Sequence, residues 1–189
     1  MLTKFRNPQQ KGLEVAVVLA IAAVVIWGAM TLYLSTSNQR RITDTQTLVV
    51  SAVQKVSDLY AGRDISGFNG QIAVAFGVLP ESYKADTESY NLPIANAKMT
   101  FGATAFHPGP NFGIITTGPL TPESCIALGK LNLGDVVKYV TVDKYVGFTG
   151  TDATALSRQS IKDANGDIPI AAISAACEDG SYVHYFLTN

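Results

Sequence analysis

The chain has 189 residues, enough for one domain and an anchor, and its 14 basic and 15 acidic side chains leave a net charge of −1. Nothing in that balance supplies the basic face that nucleic acid requires. Hydrophobic residues make up 47% and charged residues 15%, which excludes disorder, and much of the apolar excess lies in one N-terminal run.

That run comes first in chain order. A basic leader, MLTKFRNPQQK, precedes Gly12, and from Val15 to Leu34 there is no charge. About 20 apolar residues at roughly 1.5 Å rise each just cross a hydrocarbon core of about 30 Å, so the pattern predicts a transmembrane helix. Lys4, Arg6 and Lys11 mark the cytoplasmic flank and put the domain beyond the run outside the cytoplasm. A cleaved secretory signal would have a shorter apolar core and small residues beyond it, whereas here Tyr33, Leu34 and the polar stretch 35–39 come next. A plain signal anchor accounts for everything except the Lys11-Gly12-Leu13-Glu14 junction. A third layout does account for it: cleavage after Gly12, with the apolar helix kept on the mature chain.

Helical periodicity continues past Arg41. Ile42, Val49, Val53, Val56 and Tyr60 recur at the 3.6 period, Leu48, Ala52 and Leu59 widen the stripe, and Asp44, Gln46, Gln54, Lys55 and Asp58 take the other faces. One helix from Leu13 to Ala61 results, apolar all round in its first half and amphipathic in its second, with Gly62 as its stop. Gly28 is its weakest position, costing about 1 kcal/mol relative to Ala.

From Arg63 to Asn96 glycines and prolines punctuate a connecting region, with a short helix or strand at Gln71 to Phe76. Met99, Phe101, Ala103 and Ala105 then alternate with polar or small residues as a half-buried strand does. A turn at His107 to Asn111 and a returning strand, Phe112 to Thr117, complete a hairpin. Thr121-Pro122 opens a helix that carries Cys125, Leu128 and Leu131 as far as Gly134. Val136 to Val142 is a strand, Asp143 to Gly166 a polar surface excursion, and Pro169 to Ala176 a helical turn leading to Cys177. Ser181 to Leu187 is apolar on both sides, so it belongs in the interior of its sheet. The predicted class is α+β, an antiparallel sheet packed on the long helix. Two cysteines in an exported domain favour a Cys125–Cys177 disulfide, and their spacing fits neither a zinc site nor CxxC.

Chemistry-bearing patterns are scarce. His107 and His184 have no acid and nucleophile at motif spacing, and no GxSxG, HExxH or P-loop occurs. Asp163, Asn165 and Asp167 resemble the opening of a calcium loop, but Ile168 stands where glycine is needed and Ser174 where glutamate is expected. The stretch therefore reads as a turn at Asn165-Gly166, and no metal or cofactor is expected. Glu14 is the exception, a carboxylate at the edge of an apolar helix that must snorkel, protonate or find a cation.

The junction Lys11-Gly12, EVAVVLAIAAVV from Glu14 to Val25, LYAGR from Leu59 to Arg63 and VLPESYK from Val78 to Lys84 resemble the type IVb prepilins. CIALGKLNLG from Cys125 to Gly134 and the ending CEDGSYVHYFLTN continue the likeness, which is strongest toward bundle-forming pilins and the thin-pilus pilins of conjugative plasmids. The resemblance implies a cytoplasmic leader, residues 1–12, cut before Leu13 and often followed by methylation of the new terminus. It implies a helix at 13–61, of which 13–34 spans the membrane and then forms the filament core, and an exported domain at 62–189. Removing Lys4, Arg6 and Lys11 from the 14 basic residues leaves 11 against 15 acidic, a mature net charge near −4. In the family the glutamate stands fifth in the mature chain, whereas cleavage after Gly12 puts Glu14 second. Cleavage after Gln9 would restore the offset and lose the glycine. In a filament core the fixed cation within reach of Glu14 is the new α-amine of Leu13, and Gly28 is where an extracted helix could unwind.

The implied function is that of a structural subunit with no reaction of its own, precursor at the inner membrane and extracellular filament when assembled. Its partners would be its own copies, a prepilin peptidase, an inner-membrane platform with its ATPase, an outer-membrane secretin and a disulfide oxidase. A minor pilin or pseudopilin is the nearer alternative and a membrane-anchored enzyme the distant one. Surface residues without a motif leave conjugation, adhesion and bundling undistinguished.

Overall fold

Backbone helix starts early in this chain. The computed structural model describes residues 8–105, 111–145, 159–163 and 165–188, with side chains throughout except at 8–22, 25, 28–29, 31–34 and 105. The chain forms two units, Met1–Arg40 and Arg41–Asn189. Helix α1 spans Pro8–Tyr60, so it begins inside the expected leader rather than at Leu13. Proline is well placed at a first helical position because its missing N–H is one that no carbonyl would have satisfied. Gln9, Gln10 and Lys11 behind it are good helix formers. In the first unit Val24, Ile26, Trp27 and Met30 are all exposed, Trp27 by 73%. Among the described residues no helix is long and apolar enough to cross a membrane, and most side chains of the run Val15 to Leu34 lie outside that set.

In the second unit α1 runs to Tyr60 and buries Ile42, Leu48, Val49, Ala52, Val53 and Val56, the stripe expected from the periodicity. Thr45 lies in the same stripe and is tolerated there because its hydroxyl donates to the Arg41 carbonyl at 2.7 Å. Arg63 N–H closes the last turn onto the Tyr60 carbonyl, and Gly62 takes a left-handed φ of 69° as the helix stop.

The connecting region holds more structure than its punctuation implies. Helix α2 (Gly70–Ala75) is capped by Asn69, whose side chain accepts from Ile72 N–H at 3.0 Å. A short strand, β1 (Ser89–Asn91), is an addition to the expected elements, and it comes after a 3₁₀ turn at Glu81–Tyr83. The hairpin partners are β2 (Lys98–Ala105) and β3 (Asn111–Leu120), paired from Lys98↔Gly118 to Ala105↔Asn111. Thus Asn111 opens the strand instead of closing the turn, and β3 runs on to Leu120. His107 lies outside the described residues.

Helix α3 (Pro122–Gly129) begins at the Thr121-Pro122 cap as expected but ends at Gly129, short of the expected stop at Gly134. A 3₁₀ turn at Gly134–Val136 then leads to β4 (Val137–Asp143). Helix α4 (Ile170–Ala176) and β5 (Ser181–Leu187) finish the chain. Of the polar excursion from Asp143, residues 146–158 and 164 lie outside the described set.

All pairings are antiparallel, in the order β1-β2-β3-β5-β4. The last strand therefore enters between β3 and β4, an interior place that explains why its residues 183–187 are all buried. One sheet face supplies Met99, Phe101, Ile115, Val140, Val183 and Tyr185 to the main core with α1. On the opposite face Phe112 and Phe186 pack with Ile114 and Tyr139. Each edge strand takes a backbone contact from a neighbouring segment: Lys84 bridges Tyr90 on β1, and Ile161 N–H donates to the Val140 carbonyl on β4 at 2.8 Å.

Candidate assembly surfaces and covalent clamp

The residues expected to direct processing and assembly are carried on one element. Gly12, Leu13, Glu14 and Gly28 all lie in the helical backbone of α1, which passes through Gly28 without a break. The Gly12–Leu13 bond is thus helical, and the side chains of Leu13 and Glu14 fall outside the described residues.

Cys125 and Cys177 are joined by a disulfide, with Cα atoms 5.7 Å apart. Cys125 sits in the first turn of α3, where Thr121 Oγ1 accepts from Ser124 N–H at 3.4 Å. Cys177 is the C-cap of α4, its N–H donating to the Ile173 carbonyl at 3.0 Å. The bond lies at a node rather than at the periphery. Gln46 of α1 donates to the Ala127 carbonyl at 2.8 Å, and Tyr185 of β5 donates its buried hydroxyl to the Leu128 carbonyl at 3.0 Å. Burial, first among its causes, pushes the Tyr185 phenol up, so it stays a neutral donor at any physiological pH. Just beyond the clamp Lys144 and Glu178 form an exposed ion pair. The hydrogen bond between them lowers the Glu178 carboxyl and raises the Lys144 ammonium.

A polar cluster escapes sequence reading altogether. Thr116 Oγ1 lies 2.8 Å from His184 Nδ1, and Asp143 Oδ1 lies 3.3 Å from His184 Nε2. These are hydroxyl, imidazole and carboxylate in series, assembled across β3, β5 and β4 from positions far apart in the chain. The register pairs Thr116 and Thr141 with His184, a signal available only once the strand order is known. Yet the imidazole is 0% exposed and the Thr116 hydroxyl is turned onto it, so no substrate atom can approach the nucleophile position. The Asp143 carboxylate is near Nε2 but off its hydrogen-bonding direction, and Thr141 Oγ1 makes no hydrogen bond. The cluster is interior polarity between strands.

The calcium-like stretch is a turn, as its sequence implied. Asp163 Oδ1 accepts from Asn165 N–H at 2.8 Å and Asp167 N–H at 2.9 Å, so that oxygen closes the turn on its own backbone. Nearby, Lys162 Nζ donates to the carbonyls of Gly134 at 2.8 Å and Val137 at 2.7 Å. Among the described residues no group of three His, Cys, Asp or Glu could hold a metal ion.

Two grooves flank the second half of α1. One, of about 480 Å³, is lined by Val50, Val53, Ser57, Asn132, Leu133 and Val136. The other, of about 350 Å³, is lined by Lys55, Leu59, Phe76, Gly77 and Val78. Asp58 lines both grooves, so the two adjoin along the face of α1 turned away from the buried stripe. Phe76 stands out beside the second groove with 66% of its surface exposed.

No family model matches the chain, and no solved structure matches it. Two curated relatives do, the major structural subunits of the bundle-forming pilus from Escherichia coli O127:H6 (strain E2348/69 / EPEC) and from Escherichia coli O111:H-. Each is 34% identical over 152 residues, covering 73% of this chain and 74% of the relative.

Proposed function

The chain belongs to the family of bundle-forming pilus subunits, the type IVb pilins, and from that premise we propose that it is a major pilin precursor polymerising into a surface filament. The observation that carries this is the 34% identity to major structural subunits over 73% of the chain. The exposed apolar row of Val24, Ile26, Trp27 and Met30 supports it, because such a surface needs lipid before assembly and other copies after it. The precursor sits in the inner membrane through residues 13–34, with 1–12 in the cytoplasm and the domain from 62 onward outside. A prepilin peptidase cuts before Leu13. Since the bond is helical here, the first turns must unwind for cleavage, and Gly12 lowers that barrier by about 1 kcal/mol relative to Ala.

Moving the apolar helices from lipid into a filament core changes little in hydrophobic terms, so close packing and pairing of Glu14 with the Leu13 α-amine set the register. The subunit has no reaction of its own. An inner-membrane platform with its ATPase, an outer-membrane secretin and a disulfide oxidase complete the route. Negative-stain microscopy of sheared surface protein tests this: filaments whose main polypeptide is this chain are expected, and they should vanish when its coding sequence is deleted. Subunit confined to the membrane fraction of a fully induced cell, with no filaments, overturns the reading.

A further inference from the structure

The pair Asn-Gly occurs twice in the chain, at Asn69-Gly70 and at Asn165-Gly166. In such a pair the asparagine carboxamide is readily reached by the next backbone nitrogen, because glycine has no Cβ to hinder the approach and lets the backbone bend. The fold treats the two copies differently. Asn69 is the N-cap of α2, and its Oδ1 accepts from Ile72 N–H at 3.0 Å. Gly70 is buried as the first helical residue, and a side-chain atom added there would run into the Glu88 carbonyl. In that pair both the carboxamide and the backbone nitrogen are held in place, with no room for a ring to close.

Asn165 is exposed, and among the described residues no hydrogen bond engages its carboxamide. Gly166 has a φ of 89°, and the nearest atom to where its Cβ would stand is Lys162 Cε at 3.6 Å. Both residues border an open polar cleft of about 630 Å³ that Asp135, Lys138 and Ser160 also line, so water reaches them. One bond restrains the nitrogen: Gly166 N–H donates to the Asp163 carbonyl at 3.1 Å. That bond closes an exposed turn, and exposed turns open locally at a small part of the cost of global unfolding. Lys162 Nζ keeps its bonds to the Gly134 and Val137 carbonyls, so the start of the turn stays anchored while it opens.

We propose that Asn165 is a modification site at which the folded chain deamidates, and that Asn69 is protected from the same reaction. The Gly166 nitrogen gives its proton to solvent base and attacks Asn165 Cγ. A bond forms between that nitrogen and Cγ, the bond from Cγ to Nδ2 breaks, and the amide leaves as ammonia after taking up a proton. Water then opens the cyclic imide at either carbonyl, giving aspartate or the β-linked isoaspartate. Either product places a new negative charge between Asp163 and Asp167. The isoaspartate also lengthens the backbone of the turn, which breaks the bond from Asp163 N–H to the Asp167 carbonyl. This chemistry depends on the turn and does not rest on the filament reading. Purified full chain in detergent, held warm at mildly alkaline pH in heavy-oxygen water and then mapped by peptide mass spectrometry, provides the test. In the folded chain the peptide containing Asn165 should take up one heavy oxygen and split into two chromatographic forms, with labelling roughly tenfold or more above that at Asn69. In guanidinium the two sites should become comparable, since the protection of Asn69 comes from the fold. Asn165→Gln should abolish the label at that peptide, because glutamine would have to close a larger ring. Labelling at Asn165 in the folded chain that is absent, or no greater than at Asn69, overturns the proposal. So does an Asn69 that stays unreactive in guanidinium while Asn165 reacts.

Discussion

Losing the disulfide should be the most costly single covalent change in the second unit. Its two cysteines are 52 residues apart in sequence, and for a loop of that size the chain-entropy model assigns about 4 kcal/mol of stabilisation. A domain of this size has about 5–15 kcal/mol in total, so the bond accounts for a quarter or more of it. The structure adds a reason for the full figure to appear. Cys125 belongs to α3, which sits between β3 and β4 in sequence, and Cys177 precedes the strand that enters between those two in space. Without the bond, β5 must find an interior place from an untethered segment. Purified subunit in detergent, unfolded in urea with and without reductant, gives the measurement. With a slope of about 2 kcal/mol per molar, the midpoint should fall by about 2 M on reduction, and the thermal midpoint by roughly 8–16 °C. In cells, Cys125→Ser with Cys177→Ser should leave subunit degraded before assembly. A midpoint shift below about 0.5 M, or normal filament yield from the double serine variant, would refute the reasoning.

Other perturbations address separate steps. Mass spectrometry of the mature chain should find Leu13 at the N-terminus, and Gly12→Glu should accumulate only precursor; a mature chain beginning at Met1 counts against processing here. Glu14→Ala should leave the subunit in the membrane at normal level while lowering filament yield, and full piliation of that variant would reduce Glu14 to an interfacial anchor. Asp86 accepts from the Ser89 hydroxyl and from Glu88 N–H, and these bonds, the hydroxyl first, hold its carboxyl below the ordinary range. A carboxyl lowered by folding contributes stability that is complete above its unfolded pKa of about 3.9 and is lost as pH falls through the folded value. Asp86→Asn should therefore forfeit that contribution at neutral pH and flatten the acid limb of stability below about pH 4; equal acid sensitivity of both chains contradicts this.

Elements are legible in the sequence where their signal is local. The stripe from Ile42 to Tyr60 needs only a 3.6 period, the α3 cap needs only Thr121-Pro122, and the interior place of β5 needs only that its residues are apolar on both faces. Each is written within about a score of residues. The Asn69 cap of α2 is equally local but ambiguous, because Asn69-Gly70 also has the composition of a turn. Strand β1 is different: three residues, Ser89 to Asn91, have no periodicity to detect and owe their conformation to pairing with Thr100, Met99 and Lys98.

The Thr116–His184–Asp143 cluster and the two grooves share that non-local origin, but they differ in what the fold does with them. Strand β5 brings His184 between Thr116 and Thr141, both buried, and the imidazole is thereby closed to anything outside. The grooves form along the flanks of α1, where the neighbouring elements leave Val50, Leu133 and Phe76 partly or largely in solvent. A buried polar group can find partners only within its own chain, as Thr116 and His184 Nδ1 do, whereas an apolar groove can be covered by another chain. In a subunit whose relatives build a pilus, that distinction separates residues that hold the monomer together from those available to hold its copies. Replacing His184 should therefore lower the urea midpoint of the purified subunit, and replacing Phe76 should leave that midpoint in place while filament yield falls. A Phe76→Ser subunit that unfolds earlier than the unaltered chain would put the ring among the residues that hold the monomer.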